Sequence, residues 1–369
     1  MAKIAFVADV HIANHRKHGG AMHVGLNHRC RAILDTLGSA LSAAEDANCD
    51  GFVVCGDLFD NVRPEPQVIS KTMDVLRGRE LNIAIIRGNH DTVSMSEDDD
   101  ALGPIDRMDA DVGAFDGPAI ISAGAEVSIL LMPYRTGDAR EWLPTELEAI
   151  AGKPNVLVLH MGIADAGTPA WMLGAHDSIE ADTLFDLMDK HDIKWAVAGN
   201  WHDHKSWERN GRTIIQCGAL VPTGYDNPGL EGYGSLILVD TEANTWERVE
   251  IPGPRFVMAT GPGGDQYIRK CAEQCIPTLL YARWKVGPSL VGSATRMLQD
   301  MEVNLGLAGV DPALDDKAAD EAARAQIQTV VASTGGWEGA VRAYVGSMEL
   351  DASVDRTNVL TRTLAYLQK

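Results

Sequence analysis

Metal-binding side chains recur along this chain wherever an apolar run ends. They are Asp9 and His11, then Asp57 with Asp60, then Asn89, His90 and Asp91, then His160 after Val156–Leu159, and finally the segment Asn200-Trp201-His202-Asp203-His204. Carboxylates, an amide and imidazoles set just past successive strands converge at one sheet edge, where open α/β folds build their active sites. Such a set can hold two divalent ions, and ions roughly 3.5–4 Å apart clamp the attacking and leaving oxygens of an in-line displacement at phosphorus. One side chain must bridge them, and Asp57 is expected to do so. Mixed imidazole and oxygen donors exclude a thiolate-type structural zinc site and suit manganese, iron or zinc better than magnesium or calcium. Two manganese ions are the expectation.

In this order, the blocks D-x-H, G-D-x-x-D, G-N-H-D, H and H-x-H resemble the calcineurin-like metallophosphoesterase superfamily. The run Gly56 to Pro66 is similar to its DNA-repair nuclease branch, the SbcD type of bacteria and phages, and the resemblance covers roughly residues 1–252. It implies one metal on Asp9, His11 and Asp57 and the other on Asp57, Asn89 and His160. It makes His90 the acid that protonates the leaving oxygen, a task suited to an imidazole of pKa about 6.5. Asp60 is expected to orient His90, as a carboxylate orients the histidine of a hydrolase triad. Some archaeal and eukaryotic relatives carry a histidine where Asp60 stands.

The resemblance also implies an activity and partners: an exonuclease or endonuclease acting on DNA in repair or recombination, an SbcC-type ATPase of the coiled-coil class, and a second copy of the chain. A metallophosphatase or phosphodiesterase acting on small molecules or phosphoproteins is the alternative enzyme. A scaffold that has lost catalysis is the alternative from another class, and the retained His90 argues against it.

The largest departure is near Trp201. Relatives usually read G-H-x-H directly after a strand, whereas this chain reads Gly199-Asn200-Trp201-His202-Asp203-His204. Without a gap, Asn200 and His202 take the two histidine positions; with a two-residue shift, His202 and His204 do. His202 is a ligand in either register. His204 is expected over Asn200, because a neutral imidazole is the stronger donor to borderline metals.

A net charge of −20 opposes the long-range footprint of a free-standing DNA binder. Binding must then be local, and the cluster His15-Arg16-Lys17-His18 with His28, Arg29 and Arg31 is either a solvated loop or one that contacts phosphate. No G-x-x-x-x-G-K-[ST] loop occurs, so ATP hydrolysis by that mechanism is excluded. The chain starts directly on the apolar run Lys3–Ala8, without the charged, apolar and cleavage regions of a signal peptide. Six cysteines lacking C-x-x-C spacing suit reduced thiols, so a cytoplasmic location is expected, the host's cytoplasm for a phage protein.

Apolar runs alternate with helical periodicity to about residue 200, as in Ile33, Leu37, Leu41 and Ala44 or Val68, Met73 and Leu76. Residues 212–217, 235–239 and 246–250 then read as strands parted by Gly, Pro and Asn. The expected class is α/β, the family's two-sheet sandwich flanked by helices. Pro252-Gly253-Pro254 and Gly261-Pro262-Gly263-Gly264 mark a boundary between a catalytic domain, 1–252, and a smaller α+β capping and partner-binding region, 265–369. Within the latter, 278–286 reads as a strand, and 311–332 and 337–368 read as helices.

Overall fold

The first strand, Lys3–Val7, shows why the apolar runs are continuous rather than alternating. Ile4 and Phe6 enter one buried cluster while Ala5 and Val7 enter another, so both faces of the strand are covered. The computed structural model describes residues 2–92, 101–108, 111–124, 126–150, 152–168, 177–225, 233–315, 337–347 and 356–367.

Two six-stranded sheets carry the larger part of the chain. The first runs Thr245–Ile251, Gly234–Asp240, Lys3–Val7, Gly51–Val54, Asn82–Ile86, Val112–Phe115, with the last four strands parallel. The second runs Lys205–Arg209, Arg212–Gln216, Trp195–Gly199, Val156–His160, Val127–Met132, Ala119–Ala123, with its four central strands parallel. Phe6, Val53, Val158 and Val197 meet between the sheets. The helices His28–Asp46 and Pro66–Leu76 close the outer face of the first sheet through Ile33, Leu37 and Val68. Ala139–Ala149 and Ala181–His191 close the second through Leu143, Leu184 and Met188. The product is the expected sandwich, four layers ordered helix, sheet, sheet, helix.

A third, parallel sheet of Arg255–Thr260, Leu280–Val286 and Gly309–Leu314 has its own core with the helices Gly264–Gln274 and Val291–Leu305. The strand Arg255–Thr260 thus serves this C-terminal sheet although it precedes residue 265. The helix expected over 311–332 is corrected at its start: residues 311–314 are strand, pairing Asp311 with Arg283 and Leu314 with Val286. Nonlocal pairing overrides local helical periodicity there, and residues 316–332 lie outside the described ones. Trp337–Ser347 and Arg356–Leu367 are helical as expected, with 348–355 and 368 outside the description. No helix among the described residues is long and apolar enough to cross a membrane.

Candidate metal centre

Every expected motif leaves the carboxyl end of a parallel strand: Asp9 after Lys3–Val7, Asp57 after Gly51–Val54, Asn89 and His90 after Asn82–Ile86, His160 at the end of its own strand, and Asn200 and His202 after Trp195–Gly199. The first two turns interlock. The Asp9 N–H donates to Gly56 O at 3.1 Å, and those of Val10 and His11 donate to Asp57 O at 2.9 and 3.1 Å. Asp9, His11 and Asp57 hold φ of +52°, +52° and +53°, left-handed backbone that is uncommon outside glycine. Three such residues in one cluster mark strain that the surrounding hydrogen bonds maintain. Gly88 is required for closeness, since a Cβ there would lie 2.1 Å from Asp57 Oδ1.

The ligand atoms converge. Asp9, His11 and His202 form one group, His11, Asp57 and His90 a second, and Asp9, Asp57 and His160 a third, each with its nitrogen and oxygen atoms within 4.8 Å of one another. Asp9 and Asp57 are buried, and Asn89 Oδ1 sits 2.9 Å from His160 Nε2. His160 donates Nδ1–H to the Cys55 carbonyl at 2.7 Å, an assignment fixed by the acceptor. That bond presents its Nε2 lone pair to the cluster, the carbonyl-backed arrangement common to metal-binding histidines.

The electrostatics express the same crowding. Burial alone would raise Asp57, but His160, His11 and His90 around it hold its carboxyl well below the usual range. Burial would lower His160, yet Asp57 and Asp9 push it up to about 9. Asp91 is raised to about 6 by burial and by Asp57, against hydrogen bonds from the N–H groups of Phe59 and Gly88. Two buried carboxylates faced by imidazole nitrogens and an amide oxygen are a donor set that fits two borderline divalent cations.

Two expected roles take a different geometry. The Asp60 carboxylate approaches Nδ1 of His11 at 3.3 Å and Nδ1 of His15 at 3.7 Å. It is the Asp60 backbone carbonyl that receives His90 Nδ1–H, at 3.0 Å. His204 is not brought to the cluster: its Nδ1–H points to the Cys217 carbonyl at 3.3 Å and its ring packs 5.7 Å from that of Trp246. Asn200 turns the chain with φ of +95°, and His202, two residues on, reaches Asp9 Oδ1 at 3.9 Å and His11 Nε2 at 3.1 Å.

A family model described as calcineurin-like phosphoesterase matches residues 2–205. The chain belongs to that family. It is a metallophosphoesterase, a phosphoester hydrolase built around a dinuclear metal site. No curated protein matches it. Among solved structures it is similar to a protein of Thermus thermophilus (11% identity, TM-score 0.45, covering 68% of this chain and 98% of that one). It is likewise similar to a dimetal phosphatase from Danio rerio (12%, 0.45, 68% and 96%) and to an archaeal phosphodiesterase (14%, 0.37, 68% and 99%).

At this metallophosphoesterase site the sequence offers Asn200 only as a possible ligand and gives no signal for its hold on Asp9 or for Tyr134. The Asn200 N–H donates to both Asp9 carboxylate oxygens, at 3.2 and 3.0 Å, while its side-chain amide donates to Asp177 Oδ2 at 3.2 Å. Tyr134 sets its ring edge-on to His160, 6.3 Å between centroids, and burial raises its hydroxyl, with Asp177 and Asp57 adding to the effect. Both contacts join segments far apart in the chain.

Proposed function

We propose that this metallophosphoesterase is an SbcD-like DNA nuclease that hydrolyses phosphodiesters with two manganese ions. The hydrolytic part of the reading is supported by His90, an exposed imidazole at the rim of the buried carboxylate pair. Its N–H on the main chain donates to Asp57 Oδ1 at 2.8 Å and its ring Nδ1–H to the Asp60 carbonyl, so Nε2 is left to carry the proton for the departing oxygen. What favours DNA is the run Gly56 to Pro66 and its similarity to the repair-nuclease branch.

In this reading Asp9, His11, Asp57 and His202 hold one ion, and Asp57, Asn89 and His160 hold the other. The bound ions would supply Lewis-acid stabilisation of charge on the phosphoryl oxygens. Asp60 fixes the ring of His11 through its carboxylate and that of His90 through its carbonyl. Asn200 holds Asp9, and His204 braces the loop against Cys217. The C-terminal helices Trp337–Ser347 and Arg356–Leu367 serve a partner ATPase, and the protein works in the cytoplasm, with a second copy of itself.

The test compares the purified chain with manganese on plasmid and defined-end oligonucleotides and on p-nitrophenyl phosphate. Preference for DNA is expected. Preference for the small monoester would replace the nuclease reading with that of a small-molecule or phosphoprotein phosphatase.

A further inference from the structure

A cavity of about 430 Å³ beside the metal cluster is lined by His15, Arg16, Lys17, Arg29, Tyr225 and Arg283. It sits where the catalytic sheets meet the C-terminal sheet, and three observations say that it is built for an anion. First, Arg29 is only 2% exposed, yet its guanidinium is held by main-chain carbonyls rather than carboxylates: Lys17 O at 3.2 Å and Thr223 O at 2.6 Å. Such bonds fix the group without neutralising it.

Second, among the described residues, the buried atoms Arg29 Nε, Tyr225 Oη and Tyr281 Oη have no hydrogen-bond partner, and His18 Nε2 has only the Asp311 carboxylate at 3.9 Å. Orphaned buried donors are rare in folded proteins, and their clustering at one place points to an absent acceptor. Third, the surroundings are rigid. The Arg29 guanidinium lies 4.9 Å over the Phe256 ring, Phe256 stacks on Tyr281 at 4.6 Å, and Arg283, held by Asp311 at 2.6 Å, lies 4.2 Å over Tyr225. Asn27 caps the helix His28–Asp46 at Cys30 N and grips His15 O at 2.9 Å, which anchors the basic loop to that helix.

The cavity also shares a wall with the metal cluster. His15 donates Nε2–H to the His11 carbonyl at 3.0 Å and faces Asp60, whose other oxygen faces the His11 ring. A chain of net charge −20 has placed Arg16, Lys17 and Arg29 together at this one point.

We propose that the cleft is a phosphate subsite for a nucleic-acid strand, gripping a backbone phosphate next to the one at the metal cluster. The proposal rests on the DNA reading above. It gives an acidic protein a local grip on a polyanion that its overall charge repels.

The test uses the full chain in EDTA, so that the metal cluster contributes no cation. Binding of a single-stranded oligonucleotide is measured by fluorescence anisotropy across a salt series. Each phosphate neutralised on a single strand adds about 0.7 to the slope of log affinity against log salt, so Arg16→Gln with Lys17→Gln should weaken binding and flatten the slope by about 0.7. Arg29→Gln, checked by circular dichroism for folding, should weaken binding as well. Lys153→Gln with Lys194→Gln, which precede the strands Val156–His160 and Trp195–Gly199 at the opposite sheet edge, should leave the slope unchanged. An unchanged slope in the Arg16 and Lys17 variant overturns the proposal. So does binding of inorganic phosphate without binding of the strand. Turnover of bis(p-nitrophenyl) phosphate with manganese reads the metal centre alone, so its absence would remove the hydrolytic reading whatever the salt series shows.

Discussion

The Nε2 atoms of His11 and His202 face each other at 3.1 Å. Neutral imidazoles so placed need a shared proton or a cation between their lone pairs, because a neutral ring has one donor and one acceptor nitrogen. Asp60 beside His11 Nδ1 favours a proton on that far nitrogen, which turns the Nε2 lone pair inward. The two rings stand 191 positions apart in the chain, and both arrive from strand ends.

His202→Ala should therefore reduce bound manganese from two ions per chain to one and abolish cleavage. His204→Ala should keep both ions and lose about tenfold in activity at most, since its ring touches the Cys217 carbonyl and not the cluster. Isothermal titration with manganese distinguishes them. Loss of an ion by His204→Ala as well as by His202→Ala would restore the shifted register.

For His90→Asn the expectation is a fall in turnover of about 10²–10⁴ with both ions retained, the usual cost of losing a general acid. Metal analysis of the same preparation checks it. A preparation that has lost an ion would make His90 a ligand.

Asp57→Asn should bind neither ion tightly, because an amide bridges two cations poorly and the negative charge that His160, His11 and His90 share is gone. Normal occupancy in that variant would remove Asp57 from the bridge.

The metal-free chain should lose stability with rising pH. Folding raises His160 from 6.5 to about 9, so its stabilisation is complete below about pH 6.5 and disappears as pH climbs through about 9. A metal must displace that proton, so manganese affinity should increase over the same window. Thermal melts in EDTA and in manganese between pH 6.5 and 9 measure both trends, and His160→Gln should flatten the EDTA series. A melting temperature in EDTA that stays level in the parent chain across this range contradicts it.

Legibility in the sequence followed locality. Asp9, His11, Asp57, Asn89 and His160 could be found because each stands at or just past the end of an apolar strand, so their convergence needs only parallel strands in one open sandwich. The family's four layers were legible for the same reason, since runs such as Val156–Leu159 are apolar on both faces. The choice between Asn200 and His204 beside His202 was not, because it depends on one left-handed turn at Asn200. The strand at 309–314 was hidden because its partners begin at residue 280. The contact between Asp60 and His11 was missed for a subtler reason: a carboxylate and a carbonyl on one residue point different ways, and sequence spacing does not say which one meets His90.

Crystals soaked in manganese and measured at its absorption edge test the central claim most directly. Two anomalous peaks are expected, one on each side of the Asp57 carboxylate, the first touching Asp9, His11 and His202 and the second touching Asn89 and His160. A single peak would contradict the dinuclear centre, and a peak on His204 with none on His202 would contradict its ligand set.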